Sequence, residues 1–161
     1  PAGGHLPFTH AGDPPAPARA ERDHHRADTG VEVRARATDL PRGILELCDI
    51  VVPNQHEVAQ LGGTSALLDA GVGTVVITLG ARGIRVVTRE GEWEIPPFVV
   101  RAIDTTGAGD AACGALVAAL SQGADVLMAA RRASAAGALA ATRRGAVPSL
   151  PSAEEIDALV N

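Results

Sequence analysis

The stretch "AIDTTGAGDAACGALVAAL", residues 102–120, does most to limit how this chain can fold. A β-branched run, "FVVRAI", leads into a polar, glycine-rich turn, and a run of small apolar residues follows. Ala has the best intrinsic helix propensity, so the order predicts a strand, a tight turn and a helix. A helix that only packs needs no such mouth. A helix start leaves several backbone N–H groups unpaired and carries about half a positive charge. Gly107 and Gly109 lack a Cβ, so the backbone there can bend sharply and approach a ligand. Together these make a candidate anion cradle, as for phosphate. Asp110 falls in the first turn beside it. A carboxylate there can take the proton from a hydroxyl that attacks bound phosphate.

Plainer uses compete. Asp110 can simply stabilise the helix dipole, and Thr106 can be an N-cap. Gly107-x-Gly109-x-x-Ala112 also fits the dinucleotide fingerprint, which needs an acidic residue about 20 positions on, ending a second strand. Here that region is "DVLMAARRASAA", a helical pattern, and the fingerprint is set aside.

The remaining pattern predicts an α/β layered fold. "LPRGILELC" reads as a short helix and "DIVVP" (49–53) as a buried strand closed by Pro53. "NQHEVAQLG" opens on a capping residue and stops at Gly62-Gly63, and "SALLDAG" is another short helix. "TVVITLG" (74–80) is a central strand; "GIRVVTREGEWEIP" is a hairpin about Glu90-Gly91. Helices are expected at about 107–121, 124–142 and 152–160. Residues 1–34 show neither period and are rich in Pro, Ala, Gly, Arg, Asp and His; they read as coil or disorder. Four of the five histidines lie there, including His24-His25, and paired histidines in a polar coil are more often solvated than metal-bound.

Composition removes several function classes. The chain has 161 residues, a net charge of −5 and almost no aromatic side chains, so neither nucleic acid nor a membrane surface is an expected partner. No apolar stretch approaches the roughly 20 residues of a membrane span. All 14 basic residues are Arg, which excludes a P-loop lysine and lysine Schiff-base chemistry. Cys48 and Cys113 lack metal spacing and read as reduced thiols, in keeping with a cytoplasmic location.

"DTTGAGD" followed by a small-residue helix resembles the C-terminal signature of the ribokinase-like, or pfkB, carbohydrate kinases. Other segments agree in order: "DIVVPNQHEVAQLGG", "VVITLGARG" and "AATRRGAVPSLPSAEEIDAL", the last most similar to the ribokinase branch. The resemblance covers about residues 35–161 and implies the C-terminal portion of a Rossmann-type layered α/β/α fold, without the lid and N-terminal part. It implies transfer of the ATP γ-phosphate to a sugar hydroxyl, with Mg²⁺ and K⁺ as cofactors, a sugar or nucleoside as the second substrate, and a homodimer in the full-length family. Asp110 would be the base, and Gly107, Ala108 and Gly109 the anion hole. Asn54 and Glu57 would bear on Mg²⁺ and the phosphates, through water. Thr78, Leu79, Gly80, Ala81, Arg82 and Gly83 would line the nucleotide site, with Ser134 near the adenine or ribose. Asp104, Thr106, Ala140, Arg143, Gly145 and Ser149 match positions that hold a monovalent cation, largely by backbone oxygens. Each group also has a structural use: a capping box for Asn54 and Glu57, a turn cap for Asp104, a helix C-terminus for "TRRG".

Three departures from the family pattern carry expectations. Nothing in residues 1–34 matches the sugar-gripping segment or the lid, so a fragment is expected, weakly active or inactive alone, its first part looking like read-through of another frame. A non-catalytic nucleotide-binding module is the alternative. The connection before "TVVIT" is short, so an apolar strip of sheet should be exposed. The usual aromatic two residues after the base is Ala112, which should leave space.

Overall fold

A computed structural model describes Leu40 and residues 43–161. The expectations for residues 1–34, the His24-His25 pair included, lie outside the described residues. Among the described residues four strands form one sheet in the order β1 (Ile50–Val51), β2 (Thr74–Thr78), β3 (Ile84–Thr88), β4 (Glu92–Ile95). β1 pairs parallel to β2, and the other two pairings are antiparallel, with Val75 opposite Val87 and Val76 opposite Val86. Between β1 and β2 come α1 (Gln55–Gln60) and α2 (Thr64–Asp69). After β4 come α3 (Ala108–Ser121), α4 (Val126–Ala141) and α5 (Ala153–Val160).

Strand alternation builds the layers. Val75, Ile77 and Val87 face one side, where Val58 of α1 and Leu67 of α2 cover them. Val76, Ile84 and Val86 face the other, against Ala112, Leu116 and Ala119 of α3 and Ala129, Ala130 and Ala133 of α4. Small side chains along both helices let them lie close together. Burying one Val or Leu in such a layer stabilises the fold by about 1.5–3 kcal/mol. α5 closes the outside of α4 through Ile156, beside Ala135, Ala136 and Ala140. β4 is an edge strand, and Glu92 and Glu94, both paired with Arg85, give that edge the charge that discourages pairing with another chain.

Helix boundaries follow local chemistry. Asn54 caps α1 with a capping box closed by Glu57, and Ser152 does the same for α5 with Glu155. Asp125 caps α4 by accepting from Met128 N at 2.8 Å. Gly62 and Gly63, at φ 88° and 93°, separate α1 from α2.

Three expectations are corrected. Among its described residues "LPRGILELC" contributes only a 3-10 turn, Leu45–Leu47. "FVVRAI" is not a strand: Pro96 and Pro97 remove two ladder donors directly after Ile95, and the segment finds no neighbouring strand. Instead Ile103 N and Asp104 N both donate to Ala141 O at the end of α4, at 2.7 and 3.2 Å. The apolar strip expected beside the short α2 is absent among the described residues. Val75 and Ile77 are buried because α1, α2 and Leu45 of the 3-10 turn share the cover.

Candidate active site

α3 begins at Gly107, which stands at φ 80°, ψ −3° and is itself the N-cap. A Cβ there would meet Ala146 Cα at 3.0 Å and Ala146 O at 3.2 Å. So glycine is required twice, by the left-handed backbone and by the close approach. Thr106 is not the cap. Its backbone N and its Oγ1 donate to Asp104 Oδ1, at 2.9 and 2.7 Å. Asp104 Oδ2 accepts from Gly145 N at 2.9 Å, tying the turn to the loop beyond α4. The Gly145 amide, and then the Thr106 hydroxyl and amide, hold the Asp104 carboxyl down at about 2. Within the turn the Ala108 amide donates to Thr105 O at 3.2 Å, while those of Gly107 and Gly109 find no backbone acceptor among the described residues.

Ala108 and Gly109, in the first turn of α3, line a cavity of about 360 Å³. Thr78, Gly80, Ala81 and Gly83 line it from the end of β2 and the loop to β3, and Ser134 from α4. Gly83 takes φ 90°, and a Cβ on it would lie 2.1 Å from Ile95 O, so the loop crosses the end of β4 only because this residue is glycine. Gly109 has open space where a Cβ would stand. The α3 N-terminus therefore meets the cavity through residues that put no side chain beyond Cβ in the way, an arrangement that suits bound phosphate.

The other expected residues are placed as follows. Leu79 packs into the core under α1 and α2 rather than lining the cavity, and Arg82 turns to Gln55 of α1. Asn54 lies beside Thr78 through a parallel bridge, but its Oδ1 accepts from His56 N and Glu57 N at 2.9 and 3.0 Å. Glu57 Oε2 accepts from Asn54 N at 2.7 Å. Both side chains thus cap α1, and both residues are exposed. Asp110 is exposed and does not line the cavity; with Ala111 it borders a second groove, which runs between α3 and α5 past Arg132 and Leu150. The first turn of α3 consequently borders both hollows.

Ala140, Arg143, Gly145 and Ser149 lie at and beyond the end of α4. Arg143 pairs with Glu155 of α5, which raises the guanidinium and lowers the carboxyl. Ser149 is fully buried and donates to Ala146 O at 2.7 Å. Ser134 is nearly buried, and its hydroxyl reaches only Pro96 O, at 3.4 Å.

Several wall residues of the cavity were not anticipated, among them Phe98, Val100, Ala102, Thr105, Gly137 and Ala141. Three of the α4 liners were legible by spacing. Gly137, Ala138 and Ala141 follow Ser134 at i+3, i+4 and i+7, one face of a helix. Ala112 also lines the cavity, so the space expected from its small side chain joins this hollow. Among the described residues no group of three or more His, Cys, Asp or Glu could hold a metal ion, and no helix is long and apolar enough to cross a membrane.

Comparison with known proteins gives the family. Residues 23–153 match the pfkB family carbohydrate kinase profile. The chain is 39% identical over 134 residues to a ribokinase of Haemophilus influenzae, covering 75% of this chain and 44% of that one. The crystal structure of a Thermotoga maritima ribokinase superposes with a TM-score of 0.73 at 34% identity, covering 78% of this chain and 46% of that one. A putative ribokinase II of E. coli, in complex with ATP and Mg²⁺, superposes with a TM-score of 0.69 at 32% identity, covering 73% and 40%. The chain spans less than half the length of each of these relatives. With the glycine turn, the cavity and these matches in agreement, the chain belongs to the pfkB family of carbohydrate kinases.

Proposed function

We propose that this chain is the nucleotide-binding and phosphoryl-transfer portion of an ATP-dependent sugar kinase. The observation that carries this is the first turn of α3: Ala108 and Gly109 line the cavity that Thr78, Gly80, Gly83 and Ser134 also line, and Asp110 follows at once. ATP occupies the cavity with its phosphates toward the N–H groups of Gly107 and Gly109, which find no backbone acceptor among the described residues. These amides stabilise the charge spread over the transferring phosphoryl oxygens. The acceptor hydroxyl oxygen attacks the γ-phosphorus as the bond to ADP breaks, and Asp110 takes the hydroxyl proton.

Mg²⁺ is the divalent cofactor. Glu57 fits it in part: Oε2 accepts from Asn54 N, while the exposed carboxylate keeps its other oxygen for a metal-bound water. Asn54 Oδ1 already holds two amides and serves the α1 cap first. When bound, Mg²⁺ neutralises charge on the phosphate oxygens. K⁺ is proposed beside the turn. Since Asp104 accepts from three donors and Arg143 is paired with Glu155, backbone carbonyls there, not these side chains, would hold it.

The acceptor is a sugar or a nucleoside, with ribose favoured by the likeness to ribokinases. None of the residues assigned here grips it. Well-oriented reactants can contribute about 7–11 kcal/mol to lowering a barrier, so the 161-residue chain alone should phosphorylate ribose slowly or not at all. One observation favours a second reading, a nucleotide-binding module without catalysis: Asp110 lies outside the cavity wall. Asp110→Asn separates the two. In an enzyme, the slow ADP release of the parent chain collapses while ATP binding survives; a binder shows no ADP release in either form and the same ATP binding. Robust ribose-dependent ADP release by the chain alone would refute the expectation of weak activity, and absence of Mg-ATP binding would refute both readings.

A further inference from the structure

We propose that the cavity accepts purine nucleotides with little regard to the base, guanine as readily as adenine, and that Phe98 is the wall against which the base lies. This rests on the nucleotide reading of the cavity given above.

Adenine and guanine differ chiefly in the polarity of one edge. Adenine offers a donor at N6 and an acceptor at N1, where guanine offers an acceptor at O6 and a donor at N1. Telling them apart takes a fixed donor or acceptor in the wall. Among the described lining residues only Thr78, Thr105 and Ser134 carry a polar side-chain atom, and none of them is a carboxylate, amide, guanidinium or imidazole. Thr78 and Thr105 each lie two residues before a glycine in the chain, Gly80 and Gly107. Ser134, the one polar group on the α4 side, has a hydroxyl that can both donate and accept, and its present bond to Pro96 O is long, at 3.4 Å.

The remaining polar groups are backbone. Phe98, Val99, Val100 and Ala102 line the cavity, and residues 98–102 make no backbone hydrogen bond with other described residues. Their N–H and C=O groups supply both polarities, so either purine edge can be met. A site without a dedicated polar reader separates close analogues by about 10–200-fold at most, whereas a hydrogen-bonding reader reaches about 10⁴–10⁵.

Phe98 is the only aromatic residue of the wall among the described residues. It is held from outside the cavity. The Arg131 guanidinium sits over its ring, 5.4 Å from the centroid, and Arg131 Nη2 donates to Val160 O at 3.2 Å. The ring also packs on the cluster of Ala135, Ala136 and Ile156. Phe98 is thus a fixed apolar part of the wall, and a base lying against it gains more contact as a purine than as a pyrimidine.

The test is calorimetric titration of the full chain with ADP, GDP, IDP and CDP in Mg²⁺. The three purine nucleotides should bind within about tenfold of one another, since the wall lacks a reader. CDP should bind at least about tenfold more weakly, from lost stacking. Phe98→Leu should weaken all three purines by a similar factor, on the order of tenfold. Arg131 is exposed, so Arg131→Leu is a second variant that leaves the core intact, and it should weaken them about two- to fivefold. ADP binding more than about 200-fold tighter than GDP, beyond what a wall without a reader can give, overturns the inference and leaves the nucleotide site standing. Purine binding unchanged in both variants overturns the role of Phe98. Failure of every nucleotide to bind removes the nucleotide reading itself. The comparison of bases needs only the unmodified chain, so it decides the matter even if Phe98→Leu fails to fold.

Discussion

Gly107 and Gly109 are two residues apart, and the same substitution should move the protein in opposite directions at the two positions. Gly107 has φ 80°, and an added Cβ would lie 3.0 Å from Ala146 Cα and 3.2 Å from its carbonyl oxygen. Holding a non-glycine residue in the left-handed region costs about 1–2 kcal/mol. The contact is with backbone, which cannot rotate aside as a side chain would, and relieving such overpacking costs about 1–3 kcal/mol more. Gly107→Ala should therefore lose about 2–5 kcal/mol. At Gly109 the backbone is helical and nothing lies within 4 Å of the added Cβ. There Ala removes backbone entropy from the unfolded chain, and Gly109→Ala should gain about 0.5–1 kcal/mol. Yet Gly109 lines the cavity, and the new methyl would stand where phosphate oxygens approach the α3 amides.

Thermal melts with and without Mg-ADP separate the two effects. For a domain of this size 1 kcal/mol shifts Tm by about 2–8 °C, so Gly107→Ala should melt at least about 4 °C lower. Gly109→Ala should melt slightly higher when free, and lose the rise in Tm that Mg-ADP gives the parent chain. A Gly109→Ala protein that keeps the full ligand-induced rise would refute the cradle at residues 107–109. A Gly107→Ala protein as stable as the parent would refute the turn geometry.

Two further outcomes are expected. Gln can replace Glu at the third position of a capping box, so Glu57→Gln should leave stability within about 0.5 kcal/mol. It should weaken the Mg²⁺ dependence of ADP binding measured by titration calorimetry; a destabilised variant with unchanged Mg²⁺ dependence would make Glu57 a cap alone. Asp104 is held at about 2 against an ordinary 3.8, a depressed carboxyl, so its stabilisation is present above pH 3.8 and disappears as pH falls through about 2. The Tm difference between the parent and Asp104→Asn should therefore narrow between about pH 4 and pH 2, and a constant difference across that range would show that the charge on Asp104 is not what ties the turn to Gly145.

The elements most legible in the sequence were those whose determinants are local. Asn54 and Ser152 announce α1 and α5 through capping boxes. The β3–β4 hairpin is visible because Glu90-Gly91 separates a β-branched run from an alternating one. "FVVRAI" misled because strand propensity describes a fit to a pleated neighbour, and after Pro96-Pro97 there is no neighbour to fit. Val99 and Val100 went instead to the wall of the cavity, where Val99 is 97% exposed. The same sequence that looked like sheet is thus what leaves backbone groups without backbone partners beside the cavity.

The site divides along the same line. The glycine turn was readable from Gly107, Gly109 and Asp110 alone, because φ and Cβ constraints act within a few residues. The bond from Asp104 to Gly145 spans 41 residues and has no local signal; only the resemblance put the two positions together. Asn54 and Glu57 show why residue type alone cannot settle a role. Their amide and carboxylate oxygens close the α1 cap, and Asn54 bridges to Thr78, which lines the cavity. The cap takes only Oε2 of Glu57, an exposed residue, and leaves its second oxygen to solvent. A cap and a metal-facing carboxylate can be the same group, because capping uses one lone pair and a hydrated cation needs another. That is why the decisive substitution there is one that preserves the first and removes only the charge.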